Sequence, residues 1–505
     1  MNVRQYMLFF LLIFASSPLL AQQITWSDYN REDSKDINFE IIGKMNGNFL
    51  VYKNIRWRHN ITIYSSDMQR QEKMDLAFMP EKTLNVDFYV LPTHFYMIYQ
   101  YQKKGILYCM GVNIGADGKQ LGEPFEMDTT RIGFLSDNKI YAVVASEDKQ
   151  KLLLYKIQKR NEKLYLTTLL FDNQMQLLHK SRNSMEFEER RDVINDLKID
   201  NAGNILFTKG YKSGNRDYIN ELDLVVKQPL LDTLQYIKVD VQEKYIDDIE
   251  LKIDNLNKQY LINSFYYQEK RGNIQGLFAY SYNTSTATKN YAVCIPFSDS
   301  IRNQAKKDGQ LRFALNDFMI RQIVVKKDGG YIITAEDFSS QTRGLNNSWN
   351  RYDYLYSPYT TRYDYYNFNS PFNMYYRPSN SFGNQSTRYY YDNIIVMSLD
   401  KNASLQWTNI IQKEQYDDDE DNYLSFGTIN TGGEINFLFN DGSKTQLVSN
   451  HGILPDGTIT RKPTLKSEEK GYRFMPRFAK QIGARQLLVP CTYRNGYILF
   501  AKIDF

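Results

Sequence analysis

Short runs of apolar residues separated by polar turns extend along most of the chain. Between Ile323 and Thr334 the run IVVKKDGGYIIT has apolar residues on both sides of a Lys-Lys-Asp-Gly-Gly turn, which predicts a β-hairpin. Between Asn393 and Ile411 a second pair of apolar runs flanks a polar turn that begins at Asp400. Four strands of this kind predict one antiparallel sheet.

The same unit recurs from one end of the chain to the other. The first hairpin has relatives at residues 40–52, 88–99, 133–144, 197–208, 251–262, 427–439 and 479–491. Most are followed by a second strand pair, and the units start about 45 to 70 residues apart, a spacing typical of four-stranded propeller blades. This predicts an all-β propeller of about eight antiparallel blades. Seven is the alternative if the irregular fourth unit or the last unit is not a full blade.

The two ends of the sequence fit the same scheme. The last unit reaches residue 505 after only three predicted strands, and QITWSDY at residues 23–29 resembles LQWTNII at residues 405–411, a predicted fourth strand. A strand from the N-terminal end would satisfy both exposed sheet edges. We therefore predict that residues 22–505 form a single propeller domain, closed by its N-terminal strand.

One turn carries a recognisable phrase. The residues D-K-N-A-S-L-Q-W, from Asp400 to Trp407, resemble the L-D-x-x-G-x-x-x-W phrase of secreted bacterial β-propeller repeats, with Ala403 where those repeats usually have Gly. The resemblance implies a ring of blades around a central channel, with ligands often bound at one face. It implies no catalytic residues.

Composition and charge exclude several classes of protein. The chain has 505 residues and is 42% apolar and 14% aromatic, while Pro and Gly are sparse, which excludes a disordered or collagen-like chain. Its 62 basic and 58 acidic residues give a net charge of +4. This balance provides no basic stripe for a phosphate backbone, so nucleic acid is not a predicted partner.

The first residues predict export. MNVRQYMLFFLLIFASSPLLAQQ has Arg4, an apolar run from Tyr6 to Phe14 and small residues before Ala21, the order of a signal peptide spanning residues 1–21. A membrane anchor is the alternative, but the apolar run is shorter than the roughly 20 residues of a span. No other long apolar run follows, so we predict a mature chain without a transmembrane span that is periplasmic, associated with the outer surface or secreted.

A tyrosine-rich stretch separates the two hairpins described first. We call residues 346–392 the aromatic insertion. Tyr offers a large rigid face and one hydroxyl at low entropy cost, which suits contacts with proteins and stacking on sugar rings. The alternatives are a loop packed on its own propeller and a disordered low-complexity tract. The predicted binding residues are Trp349, Tyr352, Tyr354, Tyr356, Tyr359, Tyr363, Tyr365, Tyr366, Tyr375 and Tyr376; Tyr389 to Tyr391 end the stretch.

Other candidate chemistry favours structural roles. The acidic run from Asp417 to Asp421 lacks the alternating spacing of a calcium loop, so a solvated loop between blades is expected, with Ca²⁺ binding as the alternative. Three widely spaced cysteines favour buried small side chains over a disulfide framework. Two short helices are expected, within residues 299–318 and near residues 184–196. No metal or cofactor is predicted.

Catalytic patterns are hard to find in this sequence. The four histidines, His59, His94, His179 and His451, lie in no HExxH motif, and neither a GxSxG elbow nor a phosphate-binding glycine loop occurs. A propeller glycosidase with paired carboxylates stays open as an alternative. The leading hypothesis is a non-enzymatic propeller that binds a protein or glycan partner at one face. A structural subunit of a cell-envelope complex is a further alternative.

Overall fold

A computed structural model describes most of the chain. The residues described are 22–28, 38–133, 140–195, 197–214, 217–306, 314–342, 348–349, 387–418, 421–442, 447–466, 471–494 and 496–505. The predicted signal peptide lies outside them. Among the described residues no helix has the length and hydropathy needed to cross a membrane.

The strands follow one another in units of about four. β1 (Gln23–Trp26) precedes the first unit. Units one to three contain β2 (Asn38–Met45), β3 (Asn48–Ile55), β4 (Arg58–Tyr64), β5 (Arg70–Asp75); β6 (Thr83–Val90), β7 (His94–Lys103), β8 (Ile106–Gly115), β9 (Phe125–Arg131); and β10 (Tyr141–Ala145), β11 (Lys151–Arg160), β12 (Lys163–Asp172), β13 (Leu177–Glu186).

Units four and five include the irregular part of the repeat. Unit four has two short first strands in place of one. The strands are β14 (Asp192–Ile194), β15 (Lys198–Ile199), β16 (Ile205–Lys212), β17 (Ile219–Lys227), β18 (Gln235–Val239); and β19 (Tyr245–Asp254), β20 (Gln259–Tyr267), β21 (Gly276–Asn283), β22 (Thr288–Pro296). Helix α1 (Asp299–Ala305) follows unit five.

Units six to eight complete the described strands. They contain β23 (Phe318–Val325), β24 (Tyr331–Thr342), β25 (Ser348–Trp349), β26 (Thr387–Leu399), β27 (Leu405–Ile411), β28 (Tyr416–Asp418); β29 (Phe426–Asn430), β30 (Ile435–Asn440), β31 (Leu447–Ile453), β32 (Ile459–Lys466); and β33 (Tyr472–Phe474), β34 (Lys480–Gly483), β35 (Gln486–Tyr493), β36 (Tyr497–Asp504). A 3-10 turn, Pro476–Phe478, separates β33 from β34.

These units form antiparallel sheets, which confirms the predicted all-β propeller class. Units four and five share one nine-stranded sheet, joined through the single pair Ile219 and Ile246. The described strands thus give eight units in seven sheets, and the choice between eight and seven blades stays open. Of the predicted helices, α1 is confirmed, whereas the helix near residues 184–196 is wrong because β13 and β14 occupy much of that stretch.

The first strands of the units meet one another around the centre of the molecule. β2 contacts β6, β15 contacts both β10 and β19, and β19 contacts β23. The ends of this series also meet, since Lys480 of β34 donates to the carbonyl oxygens of Ile41 and Ile42 in β2 at 2.8 and 3.1 Å. The units therefore circle an axis with their first strands innermost.

The predicted closure by the N-terminal strand is confirmed. β1 pairs antiparallel with β36, with Gln23 opposite Asp504 and Trp26 opposite Ala501. The indole of Trp26 packs on Tyr472 of β33, with ring centroids 4.4 Å apart. The chain end nearest the predicted signal peptide thus supplies the outer strand of unit eight.

Alternation of strand direction gives the ring two distinct faces. Connections from the second to the third strand of a unit, and from one unit to the next, lie on one side, which we call the loop face. Its hairpin tips include residues 55–58, 103–106, 160–163, 267–276 and 493–497. The opposite side is the turn face, whose hairpin tips include residues 45–48, 64–70, 115–120, 325–331 and 399–405.

A recurring turn on the turn face explains the phrase that begins at Asp400. One carboxylate oxygen of Asp400 accepts hydrogen bonds from the backbone N–H groups of Asn402 and Ser404, both at 2.8 Å. Ala403 adopts a φ of 62° there, the left-handed conformation that explains why related repeats carry Gly. Met175 occupies the same place in unit three with a φ of 61°.

Two of the three cysteines pack as the sequence predicts. Cys109 and Cys491 are buried in strands, whereas Cys294 on the outer strand β22 is partly exposed, and all three thiols are free. Burial raises the pKa of the Cys294 thiol to about 11. Burial also raises the pKa of the Cys491 thiol, so neither Cys294 nor Cys491 is activated as a nucleophile by a lowered pKa.

The buried histidine of unit one should make stability depend on pH. The Tyr52 hydroxyl lies 2.6 Å from Nδ1 of His59, and burial lowers the pKa of His59 to about 4 from its usual 6.5. Because the folded state resists protonation, its contribution is complete above pH 6.5 and declines as the pH falls toward 4. We expect about 3 kcal/mol to be lost across this range, at about 1.4 kcal/mol per pH unit.

The measurement is urea unfolding of the wild type and of His59→Gln at several pH values. The difference in unfolding free energy between the two proteins should change by that amount between pH 6.5 and 4. A difference that stays constant over the range would show that His59 titrates normally in the folded protein.

Candidate binding site

The two middle strands of unit six are longer than the sheet that contains them. β23 pairs with β24 only as far as Asp337, and β27 pairs with β26 only as far as Ile394. Beyond these points β24 and β26 continue as a pair, from Phe338 opposite Tyr391 to Thr342 opposite Thr387. We call residues 338–342 and 387–391 the projecting hairpin. It extends from the loop face and leads into residues 343–386.

Both edges of the projecting hairpin are paired. β25 lies beside β24, with Trp349 opposite Ser340, and β28 lies beside β26, with Asp418 opposite Arg388. The Arg388 guanidinium binds the Asp418 carboxylate with two hydrogen bonds of 2.8 and 3.0 Å and lies 4.8 Å from the ring centroid of Tyr416. This widened sheet limits bending of the hairpin.

The structure describes only the two ends of the aromatic insertion. Trp349 is placed in β25, and Tyr389, Tyr390 and Tyr391 belong to β26, so the insertion is shorter than predicted at its C-terminal end. The other predicted binding residues lie outside the described residues. They are Tyr352, Tyr354, Tyr356, Tyr359, Tyr363, Tyr365, Tyr366, Tyr375 and Tyr376.

A buried ion pair supports the hairpin from below. Glu336 of β24 is fully buried, and its carboxylate lies 2.8 Å from the ammonium of Lys413 and 3.2 Å from the guanidinium of Arg321. The hydroxyl of Ser425 donates to the same carboxylate at 2.7 Å. Two cations and a hydroxyl therefore compensate a charge that would be very unfavourable alone.

A second buried pair holds the inner end of the hairpin. The Tyr391 hydroxyl donates to the carboxylate of Asp421 at 2.8 Å, and Arg477 of the 3-10 turn contacts the same carboxylate at 2.6 Å. The ring of Phe338 packs on that of Tyr391 at 4.6 Å between centroids. The expectation that the whole acidic run is solvated is wrong for Asp421, which is 1% exposed because it joins units six and eight.

One lysine connects the two pairs. The ammonium of Lys413, besides its pairing with Glu336, donates to the backbone carbonyl of Tyr391 at 2.7 Å. Burial lowers the pKa of Lys413, and the nearby carboxylate of Glu336 opposes this shift. We call Arg321, Glu336, Tyr391, Lys413, Asp421, Ser425 and Arg477 the buried ion cluster. Each of its two carboxylates is paired with a cation, so the cluster fixes the orientation of the hairpin and offers no solvent-exposed carboxylate pair.

A groove lies beside this cluster, between units six and seven. It has a volume of about 330 Å³ and lies between the end of β27 and the face of β30 to β32. The imidazole of His451 stacks on Phe439 there, and burial together with the neighbouring Arg461 lowers the pKa of His451. Besides this imidazole, the groove is lined by the cations Lys413 and Arg461 and by the acids Glu414 and Asp441.

The remaining candidate residues, the histidines and possible metal ligands, have positions that a structural role explains. All four histidines lie in strands, as predicted. Across the described ranges, no group of three or more His, Cys, Asp or Glu side chains is arranged to hold a metal ion.

Comparison with known proteins finds only distant structural similarity. No family model matches the chain, and no curated protein matches it. Among solved structures, it is similar to prolyl oligopeptidase B from Galerina marginata, with a TM-score of 0.43, 7% identity, and coverage of 92% of this chain and 56% of the other. It is also similar to dihydro-heme d1 dehydrogenase, with a TM-score of 0.41, 10% identity, and coverage of 97% and 79%.

A third similar structure is an apocarotenoid oxygenase from Synechocystis. The TM-score is 0.36 at 10% identity, with coverage of 91% of this chain and 95% of the other. The chain spans 56% of the length of the prolyl oligopeptidase. Likeness at this level carries nothing about activity to this protein.

Sequence reasoning missed the buried ion cluster. Glu336 stands inside the apolar run YIITAEDF, and Lys413 stands two residues after the β27 run NII, so each charge lies in or near a strand that the pattern marks as buried. A charged residue in a strand predicted to be buried was the available signal for an ion pair, because buried charges are rare unless they are paired. The partners could not be identified, since they come from three different units.

Proposed function

We propose that this protein is an exported, non-enzymatic β-propeller that binds a protein partner or cell-envelope component through the aromatic insertion and neighbouring loops of the loop face. The observation that supports it most is the projecting hairpin, a rigid stem whose base is fixed by the buried ion cluster. Recognition is commonly placed on loops held by a rigid scaffold. The resemblance to secreted bacterial propeller repeats, and export itself, belong to this proposal.

The expected mode of binding follows from the composition of residues 343–386. Tyrosines lose little conformational freedom on binding and can each bury a large apolar face while one hydroxyl stays hydrogen-bonded. Most of the affinity should come from a few Tyr or Trp anchors that become fully desolvated, rather than from the total contact area. Glycan binding by stacking on the same rings is the second form of this proposal.

A carbohydrate-active enzyme is less well supported by the described residues. Such an enzyme needs two accessible carboxylates flanking the scissile bond. Near the projecting hairpin, the buried carboxylates of Glu336 and Asp421 are each ion-paired and at most 1% exposed. Neither is positioned to exchange a proton with a bound sugar.

Replacing residues 343–386 with Asn-Gly should abolish partner capture while leaving the fold intact. Thr342 and Thr387 are paired, so a two-residue turn closes the hairpin without changing the strand register. The mature protein and this variant would be used to capture binding proteins from envelope extract, and Tm would be measured for both. We expect a similar Tm and the loss of at least one partner that the purified wild type binds again.

The matched control replaces residues 343–386 with a Gly/Ser segment of equal length. It separates the aromatic side chains from mere chain length. If either variant still captures the same partners, the aromatic insertion is not the recognition element, and a structural role within a larger envelope complex becomes the better account.

A further inference from the structure

The hairpin tips of the loop face are strongly basic over four consecutive units. We call the exposed cations at the tips of units eight, one, two and three the basic arc. They are Arg494, Arg56, Arg58, Lys103, Lys104, Lys159, Arg160 and Lys163. Glu162 is the one exposed acid at the described hairpin tips of these units. The connections between units on the same face carry both signs, with the acids Asp75, Glu81, Glu186, Glu188 and Glu189 and the cations Lys82, Arg190 and Arg191. Although the whole chain is nearly neutral, these hairpin tips carry a local excess of positive charge.

Most of these cations form no ion pair with the described residues, although Lys159 lies over the ring of Phe187 at 4.7 Å and Arg494 over that of Tyr493 at 4.9 Å. Among the described residues, Arg56, Arg58, Lys103, Lys104 and Arg160 form no ion pair, whereas Lys163 pairs with Glu186 at 3.5 Å. The turn face differs, because its exposed tips mix both signs. They carry Asp67, Asp117, Glu147, Asp148, Asp232, Asp328 and Asp456 together with Lys119, Lys149, Lys258, Lys327, Lys401 and Arg485.

A tryptophan stands at the apex of the basic arc in unit one. Trp57 is 51% exposed and lies directly between the two arginines, at the tip of the β3–β4 hairpin. Both residues of this two-residue turn have positive φ, 49° for Arg56 and 68° for Trp57. Such turns favour Asn-Gly, because side chains with a Cβ are strained in this conformation.

The comparable tips of the same face avoid this combination. The unit two turn has Lys104 and Gly105, and the unit three turn has Asn161 and Glu162. The folding of the hairpin therefore gives no reason for an indole at Trp57. An apolar ring exposed at a strained turn is therefore a candidate for contact with a partner surface.

We propose that the basic arc and Trp57 dock this protein on an anionic lipid bilayer. Tryptophan prefers the membrane–water interface, where its apolar body and its N–H are both accommodated. Lysines and arginines near anionic headgroups add attraction that falls off within a Debye length. The proposal goes beyond partner binding and does not depend on it.

Vesicle sedimentation tests the proposal directly. The mature protein should sediment with vesicles containing phosphatidylglycerol and stay soluble with phosphatidylcholine alone. Binding should disappear in about 1 M salt, where the Debye length shrinks to about 3 Å from about 10 Å at 0.1 M. Trp57→Ala should weaken binding about tenfold, and Arg56→Ser with Arg58→Ser should weaken it at least tenfold, since each arginine near the surface is worth roughly fivefold.

A second variant separates lost binding from lost folding. Arg56→Asn with Trp57→Gly gives the turn its preferred residues, so Tm should stay the same or rise while vesicle binding is lost. Leu256→Ala and Lys401→Ser, two exposed positions on the turn face, serve as matched controls and should bind normally.

Three outcomes would overturn the proposal. The first is equal binding to phosphatidylcholine vesicles. The second is unchanged binding after the Trp57 and arginine substitutions. The third is retention on a soluble anionic polysaccharide with the same affinity and no dependence on Trp57, which would identify a purely electrostatic site for a glycan or an acidic protein.

Discussion

Replacing Glu336 with alanine is expected to lower the free energy of unfolding by about 3 to 5 kcal/mol, the usual consequence of removing one partner of a buried ion pair. The carboxylate is fully buried between Lys413 and Arg321. Without it, two cations stay in the interior without the carboxylate that they share, and the hydroxyl of Ser425 loses its acceptor. Urea unfolding followed by circular dichroism measures the change.

Two control variants test whether the lost stability comes from the buried charge of Glu336. Glu186→Ala removes an exposed carboxylate, 81% accessible and 3.5 Å from Lys163, and should change stability by less than about 1 kcal/mol. Glu336→Met combined with Lys413→Met replaces the closest pair by apolar side chains and should recover much of the loss. If Glu336→Ala cost no more than Glu186→Ala, the base of the projecting hairpin would not depend on this charge.

Removal of residues 22–28 should destabilise the protein by at least about 3 kcal/mol, the scale of a large aromatic-to-alanine change in a core. The truncation takes away the four-residue pairing with β36 and the contacts of Trp26 with Tyr472 and Phe474, at 4.4 and 5.3 Å between ring centroids. It also exposes the edge of β36, a template for pairing with other chains. A lower Tm and a concentration-dependent increase in mass are the expected results.

A peptide of sequence QITWSDY supplies the control for the truncation. Added in trans, it should bind the open edge and restore part of the lost stability, whereas the same peptide with alanine for the tryptophan should not. A truncated protein with an unchanged Tm and a monomeric mass would show that closure by β1 contributes little.

The repeat made most of the fold predictable. Turns rich in Asn, Asp and Gly between apolar runs predicted the hairpins, and the likeness of residues 23–29 to residues 405–411 predicted the pairing of β1 with β36. These are local patterns, or comparisons between repeats, that need no knowledge of distant contacts. The sequence also marked the fourth unit as irregular, but in its second hairpin, which forms β17 and β18; the division of its first strand into β14 and β15 was not predicted.

The buried ion cluster and the basic arc were not predictable in the same way. Asp421 looked like part of a solvated acidic run because its partner Arg477 comes from a different unit. The cations of the basic arc are far apart in sequence and meet only when the ring closes. The net charge of the whole chain, +4, does not reveal them, because acidic residues elsewhere offset these cations. Ion pairs and charge clusters that form between different units cannot be predicted from any short segment of the sequence.

The pairing of β1 with β36 also imposes an order on how the protein is made. Gln23 and Asp504 are neighbours in the sheet but are translated at widely separated times. Ribosomes deliver β1 long before its partner exists, so the early strand has to be kept from mispairing until β36 emerges. A chain released before β36 is made would leave β1 without its partner, and its unpaired backbone groups would be open to pairing with other chains.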